Sequence, residues 1–222
     1  MSSVLVIIPA RTGSKGILNK NWKPLCGCSP HDRALQVAID AGITDIVTTT
    51  DRTDGVDARW LGLIFAYHHR ILYAPAPLHT DGCFMQAIVE DVLARIPGPP
   101  DQMILLLQPT QPLREVKHLK FAMDRLDIEG RGSVISVVET ESPEKLCCIR
   151  EHRLWPWGWQ LIERRQDTVA AYRRDGTVYA WYRKDGYLPC PWWPLVIPSS
   201  ESSPLDTPFD WQMAEMRLKA RG

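Results

Sequence analysis

The sequence predicts a three-layer α/β/α fold around a mainly parallel sheet, and three observations predict it. Short apolar runs alternate with helix-spaced stretches from Val4 to about residue 140, the pattern of strand–helix–strand units. The runs Val4–Pro9 and Met103–Leu107 are apolar without a polar alternate, as strands covered on both faces require. The strand-like runs end in turn-forming or polar residues: Pro9-Ala10-Arg11, Asp51 and Gln108-Pro109.

The elements follow in order. Val4 to Pro9 reads as a first strand, and a glycine-containing loop, Thr12 to Lys23, follows it. Residues 32–42 place Leu35, Ala38 and Ile39 at helical spacing, with Gly42 as the C-cap. Ile46 to Thr50 is β-branched and strand-like. Residues 57–70 read as helical. Phe84 to Ile96 is a further helix, stopped by Pro97-Gly98-Pro99-Pro100. Met103–Leu107 is a buried strand, residues 115–127 a helix, Ser133 to Val138 a strand and residues 208–220 a closing helix.

The bulk properties bound the function. The 222 residues suit one domain with an excursion. Formal net charge is zero, so no global basic field draws nucleic acid or an anionic membrane, and phosphate recognition must be local. The N-terminal apolar run has no basic region before it and is too short to span a bilayer. A cytoplasmic location is the expectation. The cysteines, with Cys26-x-Cys28 and Cys147-Cys148 as the close pairs, lack the two-residue gap of structural zinc sites and read as reduced thiols.

After Glu139 the character changes. Residues 140–195 hold six of the nine tryptophans, Trp155, Trp157, Trp159, Trp181, Trp192 and Trp193, with Arg150, Arg153, Arg164, Arg165, Arg173 and Arg174 among them. Aromatic residues and arginine are enriched at interfaces. This segment therefore reads as an excursion of the 1–222 domain that forms a homodimer and touches substrate, with an aromatic core as the alternative.

The passage from Ile7 to Leu25, IIPARTGSKGILNKNWKPL, carries the strongest chemistry. A buried strand delivers Arg11, Ser14, Lys15, Lys20, Asn21 and Lys23 at its C-terminal edge, where open α/β sheets bind ligands. Gly13 and Gly16 let backbone approach a ligand closely, and their amides with the Ser14 hydroxyl can cradle phosphate oxygens. Arg11 and Lys15 can neutralise charge that grows on a triphosphate during displacement. A solvated basic loop is the plainer alternative. The order Gly13-Ser14-Lys15-Gly16 is neither a Walker A loop nor G-x-G-x-x-G, which argues against a dinucleotide cofactor.

The same passage resembles the N-terminal signature of the acylneuraminate cytidylyltransferases, the CMP-sialic acid and CMP-nonulosonate synthetases. LLLQPTQPLR, Leu105 to Arg114, resembles the second motif of that family. SVISVVE (133–139), RRQ (164–166), DGTVYAW (175–181) and LDTPFDWQMAE (205–215) match later segments in order. The resemblance implies a Rossmann-like nucleotidyltransferase of the nucleotide-diphospho-sugar transferase type. It implies attack by the anomeric hydroxyl of an acidic nine-carbon sugar on the α-phosphate of CTP, with release of pyrophosphate. Arg11, Ser14, Lys15 and Lys20 would hold the triphosphate, and Asn21 would fix the nucleotide. Gln108 and Pro109 would line the junction of nucleotide and sugar. Gln108, Thr110, Arg165 and Tyr179 would contact the sugar, Arg165 pairing with its carboxylate. Asp206 is the metal candidate and Asp210 the second, for magnesium or manganese. Arg11, Lys15 and Asp206 would carry catalysis.

Each assignment has a structural alternative. Gln108 and Thr110 can be a turn ahead of Pro112, and Arg165 a surface or interface charge. Tyr179 can be packing, and Asp206 an N-cap or Asx turn before Thr207-Pro208. The chain also departs from the pattern. Pro204 stands where an aspartate is usual, Ala74 where an arginine is, and Phe84 where a serine is. Asp175-Gly176 replaces Asn-Gly, and Leu18 replaces a proline. These changes leave open a different acidic sugar, a different nucleotide, or a catalytically weak nucleotide-binding homologue.

Overall fold

A computed structural model describes residues 3–14, 16–52, 69–74, 78, 83–141, 147–150, 153–156 and 170–221. The described residues include nine strands and four α-helices. They run β1 (Val4–Pro9), α1 (Pro30–Asp40), β2 (Asp45–Thr50), β3 (His69–Tyr73), α2 (Met85–Arg95), β4 (Met103–Leu106) and α3 (Val116–Glu129). Then come β5 (Ser133–Thr140), β6 (Cys147–Arg150), β7 (Arg153–Pro156), β8 (Ala171–Tyr182), β9 (Trp192–Val196) and α4 (Pro208–Ala220).

Seven strands make one sheet in the order β3-β2-β1-β4-β8-β5-β9. The pairings β1–β2, β1–β4, β2–β3 and β5–β9 are parallel. β8 runs antiparallel to both β4 and β5, so the sheet is mixed with a parallel majority. Alternate side chains of β1 serve opposite faces, as a strand period of two dictates. Val6 and Ile8 pack with α1 and α3 residues such as Leu35 and Leu119. Leu5 and Ile7 pack with Val89 and Val92 of α2. This is why β1 reads as uninterrupted apolar sequence, and it gives the three layers expected.

The helix ends follow local chemistry. Ser29 caps α1 by accepting from the Asp32 amide at 3.0 Å, and Gly42, at φ +81°, takes the left-handed conformation just after it. Glu115 and His118 form a capping box on α3, and Gly130 closes that helix at φ 65°. Thr207 and Asp210 form a second capping box on α4.

Two expectations change. Of the stretch read as helical over 57–70, residues 57–68 lie outside the described residues, and His69 and Arg70 open β3 instead. Its register against β2, Ile46 beside His69, sets that identity, which local spacing does not reveal. The 140–195 segment is only partly an excursion. β8 and β9 belong to the main sheet, while the β6–β7 hairpin forms a separate two-stranded sheet. Trp181 is fully buried in the α2-side core, so part of the tryptophan enrichment is interior packing. No described helix is long and apolar enough to cross a membrane.

Candidate active site

The C-terminal ends of β1, β2 and β4 lie side by side, and the loops leaving them enclose a cleft of about 230 Å³. From the β1 loop come Arg11, Ser14, Lys20 and Asn21; from the β4 loop come Gln108, Pro109 and Thr110. Seven residues singled out in the sequence therefore line one cavity. Thr49, Cys83, Met85 and Ile88 complete much of the wall. Open parallel sheets bind ligands at this edge because strand ends release their polar loops there.

The β1 loop is held by contacts from distant parts of the chain. The Asn21 side-chain amide donates to the Arg11 carbonyl at 2.9 Å, folding the loop across itself. Asp51, at the end of β2, accepts from the Thr12 amide at 2.7 Å and from its hydroxyl at 2.9 Å. Ile17 is buried with Leu25, Leu205, Trp211 and Ala214, which pins the loop to α4. Gly16 lies so close to the Asp206 carbonyl that a Cβ would stand 2.2 Å from its oxygen, so this position excludes any side chain. Ser14 is 9% exposed, and its hydroxyl has no hydrogen-bond partner among the described residues. A buried unpaired hydroxyl costs about 1–3 kcal/mol, and this one lines the cleft.

The 205–206 segment closes the site from a third direction. The Leu205 amide donates to the Thr110 carbonyl at 3.0 Å. Lys20 Nζ donates to the Leu205 carbonyl at 2.8 Å and lies 3.3 Å from Asp206 Oδ1. The Asp206 side chain is 72% exposed, open to a cation beside a lysine of the cleft. Asp210 is placed differently. Its Oδ2 accepts from the Thr207 amide and hydroxyl, each at 2.8 Å, as the capping box of α4, and it lines another cavity beside Pro204 and Phe209.

Tyr179 also departs from the cleft. It is 9% exposed, pairs across the sheet with Leu106, and packs in the α2-side core. Burial pushes its phenol up to about 12. Packing rather than sugar contact describes its position. Lys15 and Arg165 lie outside the described residues.

A second layer, not singled out in the sequence, supports the β4 loop. Arg114 is buried and donates from Nη2 to the Gln108 carbonyl at 2.6 Å and from Nε to the Thr177 carbonyl. Burial pulls its guanidinium down to about 9 against the opposing pull of Asp175. Gln111 donates to the Asp175 carbonyl and accepts from the Ser203 amide at 3.2 Å. Asp175 itself accepts from the Thr177 amide at 3.0 Å and hydroxyl at 2.7 Å. Gly176 takes a left-handed backbone at φ +79°, which favours glycine, and Gln108 lies directly against it. The Asp175 charge acts on the buried guanidinium through space, while its oxygens pair with Thr177.

This arrangement joins a glycine-softened cationic loop, a neutral amide-bearing loop and an exposed carboxylate around one cleft. A family model described as cytidylyltransferase matches residues 5–187. The chain belongs to the cytidylyltransferase family. This cytidylyltransferase is 27% identical over 233 residues to CMP-N,N'-diacetyllegionaminic acid synthase of Legionella pneumophila, covering 97% of this chain and 96% of that one. It is 28% identical over 187 residues to N-acylneuraminate cytidylyltransferase of Streptococcus agalactiae, covering 83% of this chain and 44% of that longer protein. A solved CMP:2-keto-3-deoxy-manno-octonic acid synthetase complexed with CTP matches at TM-score 0.66 and 16% identity over 100% of both chains. 4-diphosphocytidyl-2C-methyl-D-erythritol synthase of Anaerococcus prevotii matches at TM-score 0.64 and 13% identity, over 98% of this chain and 96% of that one. These two share the fold.

The departures from the family pattern have visible consequences. Phe84 is the N-cap of α2, makes no side-chain cap and is 82% exposed, so this helix begins beside the cleft without the hydroxyl that a serine would supply. The Ala74 amide donates to the Thr50 carbonyl at 3.1 Å, extending the β2–β3 ladder, and its methyl brings no charge there. Pro204 leaves Asp206 as the carboxylate of the 204–206 segment.

Proposed function

We propose that this cytidylyltransferase transfers CMP from CTP to the anomeric hydroxyl of an acidic nonulosonate-type sugar, N-acylneuraminate or a relative. The sugar oxygen forms a bond to the α-phosphorus and loses its hydroxyl proton to solvent, and the bond from that phosphorus to the pyrophosphate oxygen breaks. The observation that carries the reading is the convergence of Arg11, Ser14, Lys20 and Asn21 with Gln108 and Thr110 on one cleft. Similarity to the Legionella synthase over nearly the full length of both chains supports the sugar class.

Arg11 and Lys20 balance the triphosphate charge, and the Ser14 hydroxyl donates to a phosphate oxygen. Fixed cations at a developing negative charge lower the barrier because they need no reorganisation during the reaction. Lys15, from the same loop, joins them. The amide of Gln108 and hydroxyl of Thr110 offer neutral hydrogen bonds to the sugar, and Arg165 pairs with its carboxylate.

Asp206 fits a magnesium or manganese ion. One exposed hard oxygen donor beside the triphosphate lysine suits a cation that keeps waters and takes phosphate oxygens as further ligands. Such an ion supplies charge neutralisation on the phosphates. The capping duty of Asp210 makes it the lesser donor. The exposed outer face of β8 and β9, with Tyr172 at 49% and Trp192 at 51% exposure, supports a homodimer.

The test is pyrophosphate release from CTP with magnesium and a panel of acidic nonulosonates. Sugar-dependent release is expected. CTP binding without release under any sugar would favour the catalytically weak homologue, the reading to which Pro204 points. Asp206→Asn should raise the magnesium concentration needed for half-maximal rate several-fold. An unchanged metal dependence removes Asp206 from the site.

A further inference from the structure

We propose that Thr49 reads the base of the bound nucleotide, its hydroxyl forming a hydrogen bond to the polar edge of the heterocycle. The inference rests on the CTP reading above and adds to it a residue that anchors the base.

β2 ends in three threonines, and they differ in one respect. Thr48 Oγ1 lies between the ring nitrogens of two buried histidines, 2.8 Å from His31 Nε2 and 2.9 Å from His69 Nε2. Thr50 Oγ1 donates to the Ala10 carbonyl at 2.6 Å and accepts from the Arg52 amide at 3.1 Å. Thr49 is 1% exposed, and its Oγ1 has no hydrogen-bond partner among the described residues. Its backbone is occupied, since its carbonyl accepts from the Ala10 amide at 2.9 Å. Strand alternation turns Thr49 away from the His31 face, and it lines the cleft. The threonine with an unpaired hydroxyl is the one that faces the cavity.

Its surroundings define what it meets. Leu78 and the first turn of α2, with Met85 and Ile88, give this part of the cleft an apolar lining. The cations Arg11 and Lys20 come from the β1 loop and claim the phosphates. A neutral group is therefore left for Thr49, one with apolar faces for methionine and isoleucine and a hydrogen-bonding edge for a hydroxyl. A pyrimidine ring has both. Binding sites commonly set orientation in this way, with a few polar groups in an apolar wall. A valine would fill the same volume without a hydroxyl to satisfy, so Thr49→Val isolates the hydrogen bond.

Calorimetry with CTP, UTP and inorganic tripolyphosphate tests the assignment on wild type, Thr49→Val and Thr49→Ser, with thermal melts of each. Thr49→Val should weaken CTP and UTP alike, about five- to ten-fold, the size of one neutral hydrogen bond that a hydroxyl can make to either base, and leave tripolyphosphate unchanged. Thr49→Ser should stay within about two-fold of wild type, the hydroxyl being kept. The unliganded valine variant should melt no lower than wild type. Undiminished CTP affinity in a folded Thr49→Val protein overturns the inference, as does an equal loss of CTP and tripolyphosphate. If wild type ignores CTP, the nucleotide reading fails first and this one with it.

Discussion

In the β8–β5–β9 half of the sheet one buried polar cluster pairs internally, whereas at the C-terminal edge of β1, β2 and β4 two buried hydroxyls face a cleft. Asp175, Thr177, Arg114 and Gln111 form a set in which carboxylate, hydroxyl, guanidinium and amide all have protein partners. At the other edge Ser14 and Thr49 present buried hydroxyls with no protein partner among the described residues. Both regions are polar and buried, so composition does not separate them. Satisfaction does. A fully paired buried network specifies structure, while an unpaired hydroxyl in a cavity wall points to a ligand.

Breaking each region separately should give opposite phenotypes. The largest effect is expected from Arg114→Met, which leaves the Gln108, Gly176 and Thr177 carbonyls without their donor. Leaving buried acceptors unpaired costs about 1–3 kcal/mol each, read as a lowered denaturant midpoint. A loss below about 1 kcal/mol would show that this network is not structural in the sense argued. Next, Arg11→Ala should reduce turnover by about two to three orders of magnitude, the scale of one lost charge-stabilising contact of roughly 3–4 kcal/mol. The denaturation midpoint should move less than that of Arg114→Met, because alanine keeps the backbone carbonyl through which Arg11 accepts from Asn21. A variant equally slowed and destabilised would erase the distinction between the two regions.

The third effect concerns the α1-side face behind the cleft. Burial lowers His31, and it lowers His69 to about 4 with help from the neighbouring His31. Both rings are neutral in the native state near neutral pH. Between about pH 4 and 6.5 the unfolded chain therefore binds more protons than the native chain, and stability rises with pH across that window. Stability from this source is complete above pH 6.5 and falls on acidification, by on the order of 2–3 kcal/mol for His69 by pH 4. His69→Asn should flatten the pH dependence of the melting temperature over that window. An unaltered slope would show that other groups set it.

Much of the site was legible because it is local. The Ile7–Leu25 passage places a buried strand, two glycines and four cationic side chains close together, and the structure brings Arg11, Ser14, Lys20 and Asn21 to the cleft wall, while Lys23 lies over the Trp211 ring instead. The β4 loop was legible for the same reason. Asp51 carried a usable signal, a carboxylate directly after a β-branched strand. Thr49 carried almost none, since three consecutive threonines look alike until a sheet assigns each a face. Arg114 and Gln111 sat inside a quoted motif, yet their partners on β8 are more than 60 residues away. Tyr179 misled because it lies near a glycine that does touch the site, while strand alternation turns its own ring into the core.

The strand–helix alternation, the cationic loop and its place at a strand end follow from periodicity and neighbouring residues. That Gly16 must lack a side chain follows from chain folding, since the obstruction is the carbonyl of the distant Asp206. Folding also decides that Asp210 caps a helix while Asp206 stands open beside Lys20, and that one threonine of three meets the cleft. Each of these depends on which groups chain folding brings within a few ångströms, and hydrogen bonding and steric exclusion act only over that range.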